Sequence, residues 1–545
     1  MIDSFRKFCR TGSIQGYILH TTDGFQNYNS TIQKLTNFSG SNAIIVLLMD
    51  KALFFTDGRY LEQAGKQLDK NLFTIFPISS LKDFNWSDFV KPEDTLGYHP
   101  MLFTKKQLTN FEKLNLLAVK YDALIEIKTS DDKEVFVYPD KYAGSRAIDK
   151  LKRLKNKNYL ITDTSSVCYL LNLRSKADDQ RGMFNAYLLS LKKQLILFTD
   201  ANLSSDVLKY LNSLKVKHLP VTKLSSYLNK RENIALDLDT IPLEFLNSCK
   251  DYEHDIFYKL DQACKTQEEI ENAKDVHIKD AVAICEVLAW IKAGISEYDI
   301  SCKLIEERKK QDGYIKESFH AICGFKENRS IIHYRPLEDE SKKIEKQGIL
   351  LIDTGGHYYG GTTDVTRVIY LGEPTAKEKL YYTLVLKGHI NLAKTKFKKG
   401  VTGANLDSLA RIYLWEHFAD YPHSTGHGVG NFLSVHEGPC GISAVNNVVL
   451  KEGMILSNEP GFYKEGEFGI RIENLLYVKQ SSNPDFLEFE DLTMLPFCSK
   501  LIDKSILTKE EVSWIKTYYN KIDKRIKPHL SIKAREFLQK ELESV

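Results

Sequence analysis

The sequence predicts a multidomain α/β and α+β protein, with two small α/β domains of one architecture followed by a larger α+β domain. Three observations point there. Apolar–turn–apolar segments recur through the first half; a capped, apolar-periodic helix opens after Cys264; and helices alternate with strand-like runs from there to about residue 500. At roughly 150 residues per domain, a chain of this length holds about three to four domains.

The first half contains an internal echo. AIIVLLMDKALFFTD (43–57) reads as two strands around a turn at Asp50-Lys51, and AYLLSLKKQLILFTD (186–200) reads the same way around Lys192-Lys193. Phe55, Thr56 and Asp57 fall on Phe198, Thr199 and Asp200 without a gap. KLTNF (34–38) resembles YLLNL (169–173), and LGYHP (96–100) and ALDLDTIP (235–242) each read as a strand entering a helix start. Any β-hairpin gives the first pattern, but elements recurring in order indicate a duplication. The two units are placed at 1–142 and 143–263. Neither holds a catalytic cluster. In TDGRY (56–60), Gly58 suits a tight turn and Arg59 a structural ion pair.

A long helix then begins, with Thr266 and Glu269 as its capping box. Ile270, Ala273, Val276, Ile284, Val287, Leu288 and Ile291 recur at helical spacing. Ser296 and Asp299 repeat the start signal for a second helix through Ile305, and a third starts near Gly403. ILLID, DVTRVIYL, MILSNEP and GIRIENLLYV read as strands. This domain is placed at 264–500, with a C-terminal extension at 501–545. The basic residues Lys524, Arg525 and Lys527 in that extension read as a solvated tail.

Composition excludes several classes. The chain is 43% hydrophobic and 27% charged, an ordinary globular balance. Its formal net charge of +3 gives no reason to expect nucleic acid or an anionic membrane as partner. Nine dispersed cysteines without a C-x-x-C pair argue against a disulfide framework and for a reducing compartment. MIDSFRKFCR lacks the apolar core of a secretory signal, and the apolar run Ala43 to Met49 is too short to span a bilayer. The sequons Asn29-Ser30-Thr31 and Asn328-Arg329-Ser330 therefore carry no weight. A cytoplasmic location is expected.

Five residues in the last third carry the chemistry: Asp353 in LLIDTGG, Asp364 in TTDVTR, His427 in HSTGHGVG, Glu459 in SNEPG and Glu473 in GIRIEN. Asp353 ends the apolar run Ile349-Leu350-Leu351-Ile352, a costly place for a carboxylate unless a positive charge neutralises it. A hairpin turning through GGHYYGG places Asp364 beside it, and a divalent cation removes the repulsion between the two. A lone aspartate at either position reads better as a turn or cap residue, and a lone glutamate at 459 or 473 reads as well as a surface ion pair. Four carboxylates and one imidazole together form a ligand set for two divalent metals sharing a water. The glycines around His427 disfavour helix, so His423 and His427 are not the helical pair of an H-E-x-x-H site. GHGVG also fails as a dinucleotide fingerprint; its glycines let backbone approach the site closely. In a strand, Arg471 and Glu473 share one face, with Ile470 and Ile472 on the other.

These phrases, in this order and spacing, resemble the pita-bread metallopeptidases, and among them the large, three-domain Xaa-Pro aminopeptidases. The resemblance is close over about 315–500. It extends more weakly over the N-terminal half, including FTDGRYLEQA and YLLNLR, and over LTKEEVSWI near the C-terminus. It implies two creatinase-N-like domains before a pita-bread catalytic domain, and hydrolysis of the N-terminal Xaa-Pro bond of short peptides by a hydroxide between two divalent metals. Asp353, Asp364, His427, Glu459 and Glu473 would be the metal ligands, with His333, His423 and His436 lining the substrate site. Glu459 is then the general base, His436 the oxyanion donor and His333 a clamp on the peptide backbone; Arg471 orients a carboxylate ligand from behind. Four oxygen ligands and one imidazole suit Mn2+, with Zn2+ or Co2+ as alternatives. The resemblance also suggests a homodimer. Ser424 and Arg335 depart from the family pattern and leave fine specificity open. Two rival readings are a prolidase-like dipeptidase and a catalytically inactive binding scaffold. Methionine aminopeptidase is disfavoured, because it needs no extra N-terminal domains.

Overall fold

The two echoed segments fold as the same hairpin. Ala43–Leu48 pairs antiparallel with Ala52–Thr56, and Tyr187–Leu191 with Gln194–Phe198. Each hairpin lies in a six-stranded sheet. The first runs Phe73–Pro77, Ala52–Thr56, Ala43–Leu48, Gly16–His20, Thr95–Tyr98, Asn115–Ala118; the second runs Val216–Leu219, Gln194–Phe198, Tyr187–Leu191, Asn158–Ile161, Ile234–Leu236, Tyr252–His254. Neighbouring strands follow one pattern in both sheets: parallel, antiparallel, antiparallel, parallel, parallel. The KLTNF and YLLNL phrases share a backbone device. Asn37 and Asn172 follow the helices Ser30–Thr36 and Thr164–Leu171 with φ of 60° and 48°, a conformation that asparagine tolerates better than most residues. Arg59 closes onto Asp57 at 2.8 Å, the ion pair expected of TDGRY.

The computed structural model describes residues 1–27, 30–125, 127, 134–176, 180–192, 194–229 and 231–543, without the side chains of Ser30, Arg329 and Ser330. Asn29 of the first sequon and Lys193 of the second hairpin turn lie outside the described residues. The chain divides into two compact units, one of Met1–Val137, Ala147–Leu173 and Met183–Phe257, the other of Tyr138–Arg146, Arg174–Gly182 and Tyr258–Val545. Both six-stranded sheets belong to the first. The central strands Gly16–His20, Ala43–Leu48, Ala52–Thr56 and Tyr187–Leu191 are buried almost throughout, while the outermost strands are partly exposed.

The second unit pairs helices with antiparallel sheets twice. The helices Gln267–Trp290 and Glu297–Arg308 accompany a sheet of Ile322–Phe325, Gly348–Thr354 and Val365–Leu371; the helices Ala376–Ala393 and Gly403–Trp415 accompany Lys396–Lys398, Phe486–Asp491, Asn474–Gln480 and Ile455–Asn458. The capping boxes at Thr266 and Ser296 form as expected. The second helix runs past Ile305 because Arg308, fully buried, is held by Asp280 and Glu317. GIRIENLLYV is two strands, Phe468–Arg471 and Asn474–Gln480, broken at Ile472-Glu473. GGHYYGG is more than a turn, since Gly356–Tyr358 and Gly361–Thr362 pair with each other.

The C-terminal extension is helical rather than a loose tail, while Lys524 and Arg525 are solvent-exposed as expected. Lys509–Arg525 and Ile532–Leu542 are helices, and Ile515, Tyr518, Ile522 and Ile526 are buried in the core of the second unit. Lys524 and Arg525 close the last turn of the first of these helices, where cations complement its dipole. All nine cysteines are free thiols. Among the described residues, no helix is long and apolar enough to cross a membrane.

A buried ion pair fastens this C-terminal region. Lys387, inside Ala376–Ala393, meets Glu511 at 2.8 Å, with both side chains nearly inaccessible. Lys387→Met leaves the Glu511 charge buried alone and should cost about 3–5 kcal/mol. Chemical unfolding followed by tyrosine and tryptophan fluorescence reads this as a lowered midpoint; an unchanged midpoint would show that the pair contributes nothing.

Candidate metal centre

Two sheets contribute to the site. In the first, Asp353 lies directly opposite Thr366, and Asp364 precedes Thr366 by two residues. Strand alternation therefore turns both carboxylates to one face. In the second, Asn458 pairs with Asn474, and the next residues outward are Glu459 and Glu473. The amide of Glu473 donates to the Thr366 carbonyl at 3.2 Å, and the Thr366 hydroxyl donates to Glu473 Oε2 at 2.8 Å, so the two sheets meet at this glutamate.

His427 arrives on the short strand Gly426–His427. A Cβ on Gly426 would sit 1.9 Å from the Ser457 carbonyl, and one on Gly428 would sit 2.2 Å from that of Glu437. Only glycine allows the strand to lie this close to its neighbours, as expected of the GHGVG phrase. His427 Nδ1 bonds to the Gly428 carbonyl at 2.9 Å. That fixes the proton on Nδ1 and leaves the Nε2 lone pair facing Asp364 at 3.5 Å and Glu459 at 3.4 Å.

Asp364, His427 and Glu473 each offer a ligand atom, and these atoms lie within 4.8 Å of one another. Their chemistry fits divalent cations. Burial, then repulsion from Asp353 and Glu459, holds the Asp364 carboxyl well above the usual range. Glu473 is raised in the same way by burial and by Asp364, Glu459 and Asp353. Burial also raises Glu459, against the pull of His427 and Arg471. Asp353 Oδ1 is buried without a hydrogen-bond partner, although its other oxygen accepts from Arg471 at 2.5 Å. Four clustered acids, one orphaned carboxylate oxygen and one oriented imidazole lone pair form a donor set short of positive charge.

Arg471 is fully buried and branches three ways, to Asp353, to Thr366 Oγ1 at 3.1 Å and to the Tyr463 hydroxyl at 2.7 Å. Tyr463 in turn meets His423 Nε2 at 2.9 Å, while His423 Nδ1 bonds to the Ser424 carbonyl at 2.8 Å. His423 is thus wired to Asp353 through two residues. His436 is exposed, and its ring packs edgewise on that of His427, 4.1 Å between centroids. Its neighbour Glu437 is buried, anchored by Lys265 at 2.8 Å and by Gln262 at 2.6 Å. His333 is half-buried in the loop after the turn Lys326–Ser330, a turn that packs on the strand carrying Arg471. Arg335 is exposed, and its charge helps to lower the pKa of His320 to about 4, after burial.

Sequence reasoning did not single out Thr366, Tyr463 or Ser457. Thr366 stands two residues after Asp364 on the same strand face, and the same spacing signals Ser457 before Glu459. Ser457 Oγ donates to Glu459 Oε1 at 3.0 Å and accepts the His427 amide at 2.9 Å. Tyr463 carried no such signal.

Comparison with known proteins agrees with this geometry. Metallopeptidase family M24 matches residues 271–480, the C-terminal region of peptidase M24 matches 485–545, and the creatinase/prolidase N-terminal domain matches 127–280. Xaa-Pro aminopeptidase 1 of Dictyostelium discoideum is 32% identical over 584 aligned positions, covering 97% of this chain and 93% of the relative. The crystal structure of X-prolyl aminopeptidase from Caenorhabditis elegans, described as a cytosolic enzyme with a di-nuclear active site, superposes with a TM-score of 0.91. It is 28% identical and covers 99% of this chain and 97% of its own. An Xaa-Pro dipeptidase from Bacillus anthracis is 25% identical with a TM-score of 0.53, covering 98% of its own chain but 64% of this one. The chain belongs to metallopeptidase family M24, with creatinase-type sequence ahead of its catalytic domain.

The raised carboxyl groups set a pH dependence. With no cation bound, a folded-state pKa above the unfolded value stabilises the fold below about pH 4, and this contribution is lost as pH rises through the higher folded value. Chelator-stripped protein should therefore lose stability as pH rises above the ordinary carboxylate range, and Mn(II) binding near neutrality should release protons. Calorimetric titration in two buffers of different ionisation enthalpy measures the release; heats independent of buffer would contradict it.

Proposed function

We propose that the chain is a metalloaminopeptidase that removes the first residue from short peptides with proline at the second position. The observation that carries the reading is the meeting of Asp364, His427 and Glu473, with Glu459 and Asp353 beside them, in a chain that matches an X-prolyl aminopeptidase over nearly its whole length. Asp353, Asp364, His427, Glu459 and Glu473 would hold two divalent cations. Mn2+ suits this oxygen-rich set best, with Zn2+ or Co2+ as alternatives. When bound, the cations would lower the pKa of a coordinated water and polarise the scissile carbonyl.

The remaining steps belong to side chains. Glu459, whose carboxyl is raised by burial, takes the proton from the attacking water and passes it to the leaving proline nitrogen. His436, exposed beside His427, donates to the oxygen as it gains charge. Asp353 receives the free α-amine of the substrate, while Arg471 holds the other oxygen of that carboxylate. His333 steadies the peptide backbone, and His423, set by Tyr463, lines the same site. Proline as the second residue has no backbone N–H, so its recognition rests on ring shape rather than a donated bond.

The dipeptidase alternative is less well supported, since the dipeptidase matched here lacks a counterpart to about a third of this chain. The inactive-scaffold alternative is weakened because all five ligand positions carry ligating residues. Four segments are proposed, 1–142, 143–263, 264–500 and 501–545; the repeated sheet supports the first two, and the separate M24 matches support the last two. A homodimer is proposed, and the exposed Ile412, Trp415 and Phe418 at the end of Gly403–Trp415 supply apolar surface for it. A cytoplasmic location follows the description of the worm enzyme as cytosolic.

Arg-Pro-Pro should be cleaved to Arg and Pro-Pro, with activity lost to chelator and restored by Mn(II), while the dipeptide Arg-Pro stays intact. Cleavage of Arg-Pro alone would favour the dipeptidase, and stoichiometric metal without turnover would favour the scaffold. Glu459→Gln should abolish turnover, and a rate near wild type would remove Glu459 as the base. His436→Ala should lower kcat by about 100- to 1,000-fold; a change confined to KM would make it a binding residue.

A further inference from the structure

Behind the aspartate pair lies a buried charged cluster that touches no proposed ligand. Arg308 is fully buried near the end of Glu297–Arg308. Its guanidinium donates from Nε to Asp280 Oδ1 at 2.7 Å, and from Nη1 to Glu317 Oε2 and to Thr354 Oγ1, each at 2.7 Å. Asp280 comes from the middle of Gln267–Trp290 and is also buried. It accepts from the Tyr358 hydroxyl at 2.9 Å and from Thr363 Oγ1 at 2.8 Å.

The placement of the two threonines gives this cluster its meaning. Thr354 follows Asp353 and Thr363 precedes Asp364. Neighbouring residues of an extended chain point to opposite sides, so each aspartate faces the site while its neighbour faces the helices. Arg308 grips one arm of the hairpin through Thr354, Asp280 grips the other through Thr363, and the two grips are joined by their own ion pair. Tyr358, from the hairpin's outer strand, adds a third hold on Asp280. Regular pairing lapses between these arms: Thr354 pairs with Val365 and His357 with Thr362, but no strand covers Gly355, Thr363 or Asp364. The arms stay close there, because a Cβ on Gly355 would lie 2.0 Å from the Thr363 carbonyl. The Thr363 amide still donates to the Gly356 carbonyl at 2.9 Å and the Gly356 amide to Thr363 Oγ1 at 2.8 Å, and where the regular ladder lapses the side chains of two helices add a hold from behind.

We infer that Asp280 and Arg308 are positioning residues that set the separation of Asp353 and Asp364 by holding Thr354 and Thr363 from behind. The inference rests on the reading of those aspartates as metal ligands. Outer groups that orient ligands contribute about 10- to 100-fold to metal affinity. A buried ion pair serving stability alone would leave metal affinity untouched in the folded protein.

Thr354→Val removes the Arg308 link alone; adding Thr363→Val removes the Asp280 link together with the Gly356 amide's bond to Thr363 Oγ1, while both keep strand-compatible side chains and leave the Arg308–Asp280 pair in place, so the single variant isolates the grip from behind. Mn(II) dissociation constants are measured by calorimetry on the chelator-stripped full-length chain, well below its unfolding temperature. The double variant should bind about 10- to 100-fold more weakly, and Arg308→Lys, which keeps the charge but loses the planar fork, should also bind more weakly. Wild-type affinities in the folded double variant, with only a lowered Tm, would overturn the inference. Asp364→Asn in the same assay separates the two failures. If it also binds normally, the ligand reading is wrong; if it loses metal while the threonine variant does not, only the positioning role falls. Should Arg308→Lys fold poorly, the threonine variants decide alone.

Discussion

Mutual repulsion among buried carboxylates is the constraint around which the second unit is built. Burial raises the proton affinity of Asp364, Glu459 and Glu473; Glu459 adds to the rise at Asp364 and Glu473, and Asp353 adds to all three. One guanidinium, Arg471, opposes all of them and binds Asp353 directly. A single positive charge cannot balance four acids in a region shielded from water, so divalent cations are the economical partner. The same deficit that makes the cluster costly as a fold gives it affinity as a site.

Holding such a cluster open requires stiff support. Three buried cations stand around it. Arg367 bonds to the Glu473 carbonyl, to Asn474, to the Leu495 and Pro496 carbonyls and to the Tyr518 hydroxyl, stitching both sheets to the C-terminal helix. Arg308 and Asp280 secure the hairpin of the two aspartates. Lys265 and Glu437 tie the loop presenting His436 to the start of the long helix. Each cation is fully hydrogen-bonded or ion-paired in the interior, where an unmatched polar group would be expensive. Rigidity at that level suits a reaction whose ligands must keep their geometry through proton transfer.

The parts of this design that were legible in the sequence are those in which chemistry conflicts with its surroundings. Asp353 after four apolar residues, Glu459 before Pro460-Gly461 and the glycines flanking His427 each break a local pattern. The repeated hairpins were legible because alternation and turn residues are local signals. Ala376–Ala393 escaped because eleven of its residues are buried around much of its circumference, which removes the one-sided stripe; its Thr375–Glu378 capping box was the remaining sign. The C-terminal helices carried a similar box at Thr508 and Glu511, masked by a strongly charged composition. Arg308 and Asp280 look like ordinary helix residues in one dimension. Apart from Glu317, nine positions from Arg308, their partners lie 28 to 83 positions away, so only the fold shows what they hold.

The most direct measurement is an anomalous-difference map from crystals equilibrated with Mn(II), recorded near the manganese edge. Two peaks should appear, together touching the side chains at positions 353, 364, 427, 459 and 473. A single peak, or none, at full reconstitution would contradict a paired-cation centre.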